Sequence, residues 1–373
     1  MIDHTDIYRN TLDFNDIYQS IIKEIGRWFK DELVPNASEF LLPLQTILSG
    51  MIATQGFICR VEGVGTTGMK SLVIGSKTLA PFDPQQLSVL VIPSEDMRAA
   101  IIREYTGTNV MIGQEVGSKS VAQEKFYYHA DMCLSVLCLY ACLLFRDSIH
   151  HTRVRLVNVC FGAYGQASCI RWDVANKTLF FTRYYRTERD LSLDDKQLAY
   201  LKQTCFFDEL VAIIEKDDRN QLEDAIAKAI HWFGDACNDK ENVGKWIKLW
   251  SCIECFFSGN LADITESNAR GVATLLYYGG YRLPEFDDYA ELKAKVKSFY
   301  AERSKAVHSA VYTHINSTML SDFSHIVAWA IIVMTSLSTR GYTCLAEIRG
   351  ETKRLDAIST PPDSSEASPQ NPD

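Results

Sequence analysis

Apolar residues recur at steps of three and four along residues 289–310, at Tyr289, Leu292, Val296, Phe299, Ala306 and Ala310. That spacing predicts an amphipathic helix with one buried stripe. The same period runs through Ile17, Ile21, Ile22, Ile25 and Trp28. It predicts a first helix, a break at Pro35-Asn36 and a second helical segment to about Ser49. From Gly56 the period shortens, and Phe57–Val61, Leu72–Ile74 and Leu87–Ile92 read as strands between Gly, Thr and Pro turns. A long helix over 123–147 comes next. The runs Arg153–Phe161, Gln166–Asp173 and Thr178–Tyr185, joined by Gly-Ala-Tyr-Gly and Val-Ala-Asn-Lys, predict an antiparallel meander. Leu191–Thr204 and the stretch to Glu215 return to helix. Residues 218–350 are helical throughout, apart from Gly279-Gly280 and a loop at Pro284.

This order places an α+β region over residues 1–215, an all-helical domain over 216–352 and a disordered tail over 353–373. The Pro-, Ser- and Asp-rich composition from Ser359 onward supports the tail. With 373 residues, the chain has room for two domains with substantial cores. Hydrophobic residues make up 47% and charged residues 23%, the balance of a globular chain. The longest apolar runs, Cys133–Phe145 and Ile326–Leu337, carry polar breaks and read as buried helices, so no membrane partner is expected. Early Asp3, Asp6 and Asp13 do not fit a signal peptide. Eleven cysteines without framework spacing fit reduced thiols and a cytoplasmic location.

The buried stripe over 289–310 has one foreign member. Position 303 falls on it and holds an arginine, a permanently charged group that a buried face accepts only with a partner or a task. Five residues on stands His308, a side chain suited to moving protons near neutral pH. Lys293, Lys295, Lys297 and Lys305 put positive charge around both, interleaved with Glu291 and Glu302. This cluster reads equally well as a phosphate-binding surface or as a solvated helix face. The net charge of −9 argues against broad, salt-driven adhesion to nucleic acid and leaves room for a local basic cleft.

The run Phe299-Tyr300-Ala301-Glu302-Arg303-Ser304-Lys305-Ala306-Val307-His308 resembles the Arg-x4-His signature of the HEPN superfamily, in its Apea-like branch. Two upstream segments carry the resemblance further. One is the helix ending in His231-Trp232-Phe233; the other is Trp246-Ile247-Lys248-Leu249-Trp250-Ser251-Cys252-Ile253-Glu254. The similarity spans roughly residues 220–350. Ser309 departs from the glycine that this branch often has after the histidine.

The resemblance implies a HEPN-like helical bundle and a metal-independent endoribonuclease without cofactor. Arg303 and His308 are the implied catalytic residues, with Glu254, Ser304 and Lys305 in support and Lys297 and Lys305 touching RNA. Glu254 is expected to hold Arg303 through a carboxylate–guanidinium pair. On an ideal helix the side chains of positions 303 and 308 diverge by about 140°. A homodimer that sets two such helices side by side answers that divergence. The resemblance also implies a toxin or antiviral effector, with a regulatory protein or phage-derived trigger acting through residues 1–215. The alternative is a non-catalytic module that binds RNA or a protein partner, with Arg303 as a structural anchor.

Other constellations have plainer readings. Gly63-Val64-Gly65-Thr66-Thr67-Gly68-Met69-Lys70-Ser71 approaches two phosphate-binding motifs, but both need the loop to open a helix. Here Leu72-Val73-Ile74 predicts a strand, and the glycines a hairpin. Cys252 and Cys255 lie inside an apolar helix and read as core. His129, Cys133, Cys138 and Cys142 lack a matching set of metal ligands, and His150-His151 suits a helix end.

Overall fold

The computed structural model describes residues 10–31, 36–65, 71–88, 90, 92, 94–157, 167–172, 179–184, 190–258, 263–279, 288–309 and 315–359. The fold is α+β, with an antiparallel sheet in the N-terminal part and a helical C-terminal part. Two compact units emerge, Met1–Cys133 with Leu156–Ala163, and Leu134–Arg155 with Tyr164–Asp373. These units divide the chain at Leu134, whereas the sequence pattern places its change at residue 215. Helical packing already recruits the chain from Leu134, because the apolar run there is buried: Leu134, Val136, Leu137, Leu139 and Tyr140 are all within 1% of full burial.

In the first unit, helix α1 (Phe14–Lys30) begins at a capping box, in which Asp13 and Asp16 satisfy each other's backbone amides. Helix α2 (Ala37–Met51) packs beside it, and Leu12, Leu44 and Leu48 form a small core with Ile17, Ile21 and Phe40. The sheet has the order β2–β3–β4–β1–β5. Its strands are β1 (Ala53–Glu62), β2 (Leu72–Ile74), β3 (Lys77–Pro81), β4 (Asn109–Gly117) and the short β5 (Arg155–Leu156). β1 and β4 run antiparallel, in register from Ala53 opposite Gly117 to Val61 opposite Asn109. Helix α3 (Glu95–Tyr105) covers a second core of Phe82, Leu87 and Val110, to which it contributes Ile101, Ile102 and Tyr105.

Several sequence expectations change here. The strand expected over Leu87–Ile92 is not seen among its described residues: Asp83 caps a single 3-10 turn over Pro84–Leu87, where proline suits the first helical position, and residues 89 and 91 lie outside the description. β4 and α3 escape the periodicity reading because Gly113, Gln114 and Glu115 interrupt the one and the mean hydropathy of the other is low. Arg155–Leu156 joins the first sheet, so the expected three-stranded meander reduces to an antiparallel pair, β6 (Ala167–Trp172) with β7 (Leu179–Tyr184). Leu191–Ser192 is extended, and helix α6 (Asp195–Thr204) starts after it at the Asp194 capping box. The tip of the glycine-rich loop, 66–70, lies outside the described residues, as do Pro35, Gly280, Pro284 and both meander turns. The loop leads into strand β2, not into a helix.

The helical unit takes in the end of α4 (Lys119–Leu144), α5 (Ser148–His151), α6 and α7 (Phe207–Glu215). It continues with α8 (Gln221–Asn238), α9 (Asn242–Phe257), α10 (Ile264–Tyr278), α11 (Tyr289–Ser309), α12 (Ser317–Thr339) and α13 (Leu345–Ser359). Helix α13 continues to Ser359, so residues 353–359 are helical rather than tail, and 360–373 lie outside the described residues. Asn220 and Glu223 form the capping box that starts α8, and Asn316 caps α12. The core is aromatic: Trp246 and Trp250 of α9 pack on Phe323 of α12 at centroid distances of 4.8 and 4.5 Å, and Phe299 of α11 meets Trp246 edge-on at 5.3 Å. Two helices, Lys119–Leu144 and Ser317–Thr339, are long and apolar enough to cross a bilayer by length and composition, contrary to the sequence reading. Of their most apolar windows, 67% and 72% are buried inside the fold, as in core helices.

One buried charge cluster organises the first unit. Lys77 is 1% exposed, its Nζ lies 2.7 Å from Glu115 Oε1, and His129 Nδ1 approaches the same oxygen at 2.7 Å. Gly113 leaves the room that the lysine stem occupies, since a Cβ there would collide with Lys77 Cδ. Burial pushes the Glu115 carboxyl up, but hydrogen bonds from His129 and Lys77 outweigh it and hold the group below the usual carboxylate range. The stability that Glu115 contributes is thus present above the ordinary carboxylate pKa and lost as pH falls through the lowered folded value. Glu115→Gln leaves the Lys77 ammonium buried without its counter-charge. The expected outcome is a loss of about 3 kcal/mol at neutral pH, shrinking as pH falls through the acid range, measured by urea unfolding across pH.

Candidate active site

Helix α11 positions the site. Tyr289, Leu292, Val296, Phe299 and Ala306 are all buried, which fixes the rotation of the helix; Ala310 lies outside the described residues. Arg303 sits at the edge of this stripe, with its side chain 22% exposed. One guanidinium nitrogen, NH2, lies 3.1 Å from Glu254 Oε1 and 3.4 Å from Oε2. The arginine therefore faces the helix α9 carboxylate to which the sequence reading assigned it. Its Nε is buried without a hydrogen-bond partner.

Tyr300, one turn earlier, completes the arrangement. Its ring lies 5.5 Å from the Arg303 guanidinium carbon, within cation–π reach. Trp250 meets the ring edge-on at 4.8 Å. Burial raises the Glu254 carboxyl, while Arg303 and the Tyr300 hydroxyl partly offset the rise. Burial also raises the Tyr300 phenol, with Arg303 opposing and Glu254 adding to it. The result is a guanidinium held by a carboxylate that is itself reluctant to ionise.

On the next face of α11, a shallow cavity of about 430 Å³ is lined by Thr265, Tyr300, Ala301, Ser304, Lys305 and His308. The structure thus brings His308, Ser304 and Lys305 together around one hollow, with Tyr300 shared between hollow and ion pair. Arg303 is not among the lining residues, in keeping with the divergence of positions 303 and 308 on one helix. Lys305 Nζ lies 2.7 Å from Glu302 and remains half exposed.

Lys297 stands apart. Its Nζ lies 2.5 Å from Glu266 on α10, and Lys293 is shared between Glu266 at 2.6 Å and Asp356 at 2.7 Å. Lys297, expected to touch RNA, is thus held in a helix-to-helix ion pair while its side chain stays half exposed, and Lys293, Lys297 and Lys305 each have an acidic partner. Tyr289 donates to the same Asp356 at 2.6 Å. Cys252 is fully buried and burial raises its thiol; among the described residues no group of three or more His, Cys, Asp or Glu is placed to hold a metal.

Thr265 and Glu266 went unread in the sequence because nothing in their spacing relates them to a helix 35 residues away. Tyr300 could have been found: it stands in the quoted motif three residues before Arg303, one helical turn.

Comparison with protein-family models, curated proteins and solved structures found no match. The site therefore rests on its own residues and geometry.

The ion pair is testable by itself. Arg303→Ala should destabilise the fold by about 1–2 kcal/mol, between the values typical of exposed and buried pairs. Glu254→Ala should cost a similar amount, and the double variant less than the sum of the two, measured as a double-mutant cycle of chemical denaturation.

Proposed function

We propose that this protein is a metal-independent endoribonuclease whose active site is built on helix α11. The observation that carries the reading is the hollow lined by His308, Lys305, Ser304 and Tyr300, one helical face from the Arg303–Glu254 pair. Cutting RNA without metal uses the 2′-hydroxyl as internal nucleophile. In this scheme His308 takes the 2′-OH proton as the oxygen attacks phosphorus, and the P–O5′ bond breaks. The products are a 2′,3′-cyclic phosphate and a 5′-hydroxyl, whose oxygen takes its proton from the second histidine of a shared cleft or from solvent. Arg303 offsets the charge that builds on the phosphoryl oxygens, with Lys305 and Ser304 contacting the substrate.

One chain turns Arg303 and His308 to different faces, so the proposal includes a homodimer with α11 from each subunit flanking one cleft. Cleavage of cellular RNA would arrest growth, and the resemblance to Apea-like HEPN domains supports a role as a cytoplasmic toxin or antiviral effector. In that role the N-terminal unit restrains the ribonuclease or senses a protein or phage-derived trigger.

A second reading has its own support. Arg303 is engaged by Glu254, and Lys293 and Lys297 by Glu266 and Asp356, so most of the cluster is already neutralised. On that reading the helical unit binds RNA or a protein without cutting.

One experiment separates the two. A pool of tRNA and mRNA is incubated with the protein in EDTA, and product ends are mapped. Cleavage leaving cyclic-phosphate ends is expected, with loss of at least about 100-fold in His308→Ala and in Arg303→Ala. Inert wild type, with or without phage-infected lysate, or variants that cut equally well, would overturn the catalytic reading. Sedimentation of the wild type is expected to give a dimer.

A further inference from the structure

The hollow beside His308 has two walls, and helix α11 supplies one of them. Tyr300, Ala301, Ser304, Lys305 and His308 line it from that helix, and Thr265 lines it from α10. The pairing of the two helices explains how Thr265 comes there. Thr274, toward the far end of α10, has its hydroxyl 3.4 Å from that of Tyr289 at the start of α11. The helices are therefore antiparallel, and the first turn of α10 meets the last turns of α11. Glu266, the residue after Thr265, pins that turn by holding Lys293 and Lys297 at 2.6 and 2.5 Å.

The Thr265 side chain is exposed, and its hydroxyl makes no hydrogen bond among the described residues. The Ser304 hydroxyl and the His308 ring likewise have no partner there. No lining residue is acidic, and Glu302 is engaged by Lys305 at 2.7 Å. Two open hydroxyls, an imidazole and an ammonium around one hollow suit an anionic oxygen. Ser304 and His308 stand four residues apart on one helix and grip a ligand along a single line. Among the described residues Thr265 is the one lining group from outside α11, so it alone can hold a strand from the other wall.

We propose that Thr265 is a substrate-binding residue, whose hydroxyl donates to a non-bridging phosphate oxygen of the RNA strand. The inference rests on the ribonuclease reading for the identity of the ligand. It adds a contact from a second helix, which the Arg-x4-His segment does not contain. A hydroxyl bonded to a phosphate oxygen before and during the reaction acts on KM rather than kcat. Being neutral, it displaces no counterion when the strand binds.

The test pairs RNA cleavage in EDTA with fluorescence anisotropy of a single-stranded 2′-fluoro oligonucleotide, which lacks the nucleophile and stays uncut. Thr265→Val keeps the shape of the side chain and removes the hydroxyl. It is expected to weaken oligonucleotide binding about tenfold and to raise KM by the same factor, with kcat changed far less. Thr265→Ser should restore both. The salt dependence of binding should match wild type in each variant, and so should the melting temperature, because the position is exposed. Thr265→Val that binds and cuts like wild type overturns the proposal and leaves the ribonuclease reading standing. A loss that Thr265→Ser does not restore overturns it as well. Binding that Thr265→Val weakens and Thr265→Ser restores, in a protein that cuts no RNA, supports the contact and overturns the ribonuclease reading. Wild type that neither binds the oligonucleotide nor cuts RNA overturns both.

Discussion

The aromatic packing of α9 and α12 against α11 is the constraint on which the candidate site depends. Trp246 and Trp250 close on Phe323, and Phe299 docks edge-on to Trp246, so the rotation of α11 about its axis is set by large, fully buried rings. With that rotation fixed, position 303 can only face α9, and positions 301, 304, 305 and 308 can only face the hollow. The ion pair does not build this geometry; it occupies a place that the rings have prepared. The guanidinium is tolerated there because Glu254, Tyr300 and the edge of the stripe together supply charge, ring face and partial access to water.

This order of causes explains what the sequence disclosed. The stripe from Tyr289 to Ala306 is legible because a helix with one packed face must repeat near 3.6, and Arg303 is conspicuous because it breaks that stripe. The Glu254 pairing is also legible, since the carboxylate stands beside an apolar stripe with few other reasons to be there. Partners set by distant packing are not. Glu266 captures Lys293 and Lys297 from another helix, and no local pattern around any of the three announces it. Lys77 and Glu115 meet across 38 residues for the same reason, and the glycine that makes room for the lysine reads as a strand breaker.

The first unit was the harder to read. Its strands are short, polar residues enter them, and a 3-10 turn capped by Asp83 ends at Leu87, where the apolar pattern suggests a strand. Where hydrophobic period and capping agreed, as at Asn220 with Glu223, the element formed where its residues place it. Where they conflicted, tertiary burial decided, and the recruitment of the chain from Leu134 into the helical unit is the largest instance.

The clamp that Glu266 places on Lys293 and Lys297 also bears on how fast anything arrives at α11. Lysines neutralised at 2.5–2.6 Å add almost nothing to the field beyond one Debye length, about 8 Å at physiological salt, so an approaching polyanion is not drawn to them until it is nearly in contact. Encounter with this face is governed by collision and local fit rather than by attraction from afar.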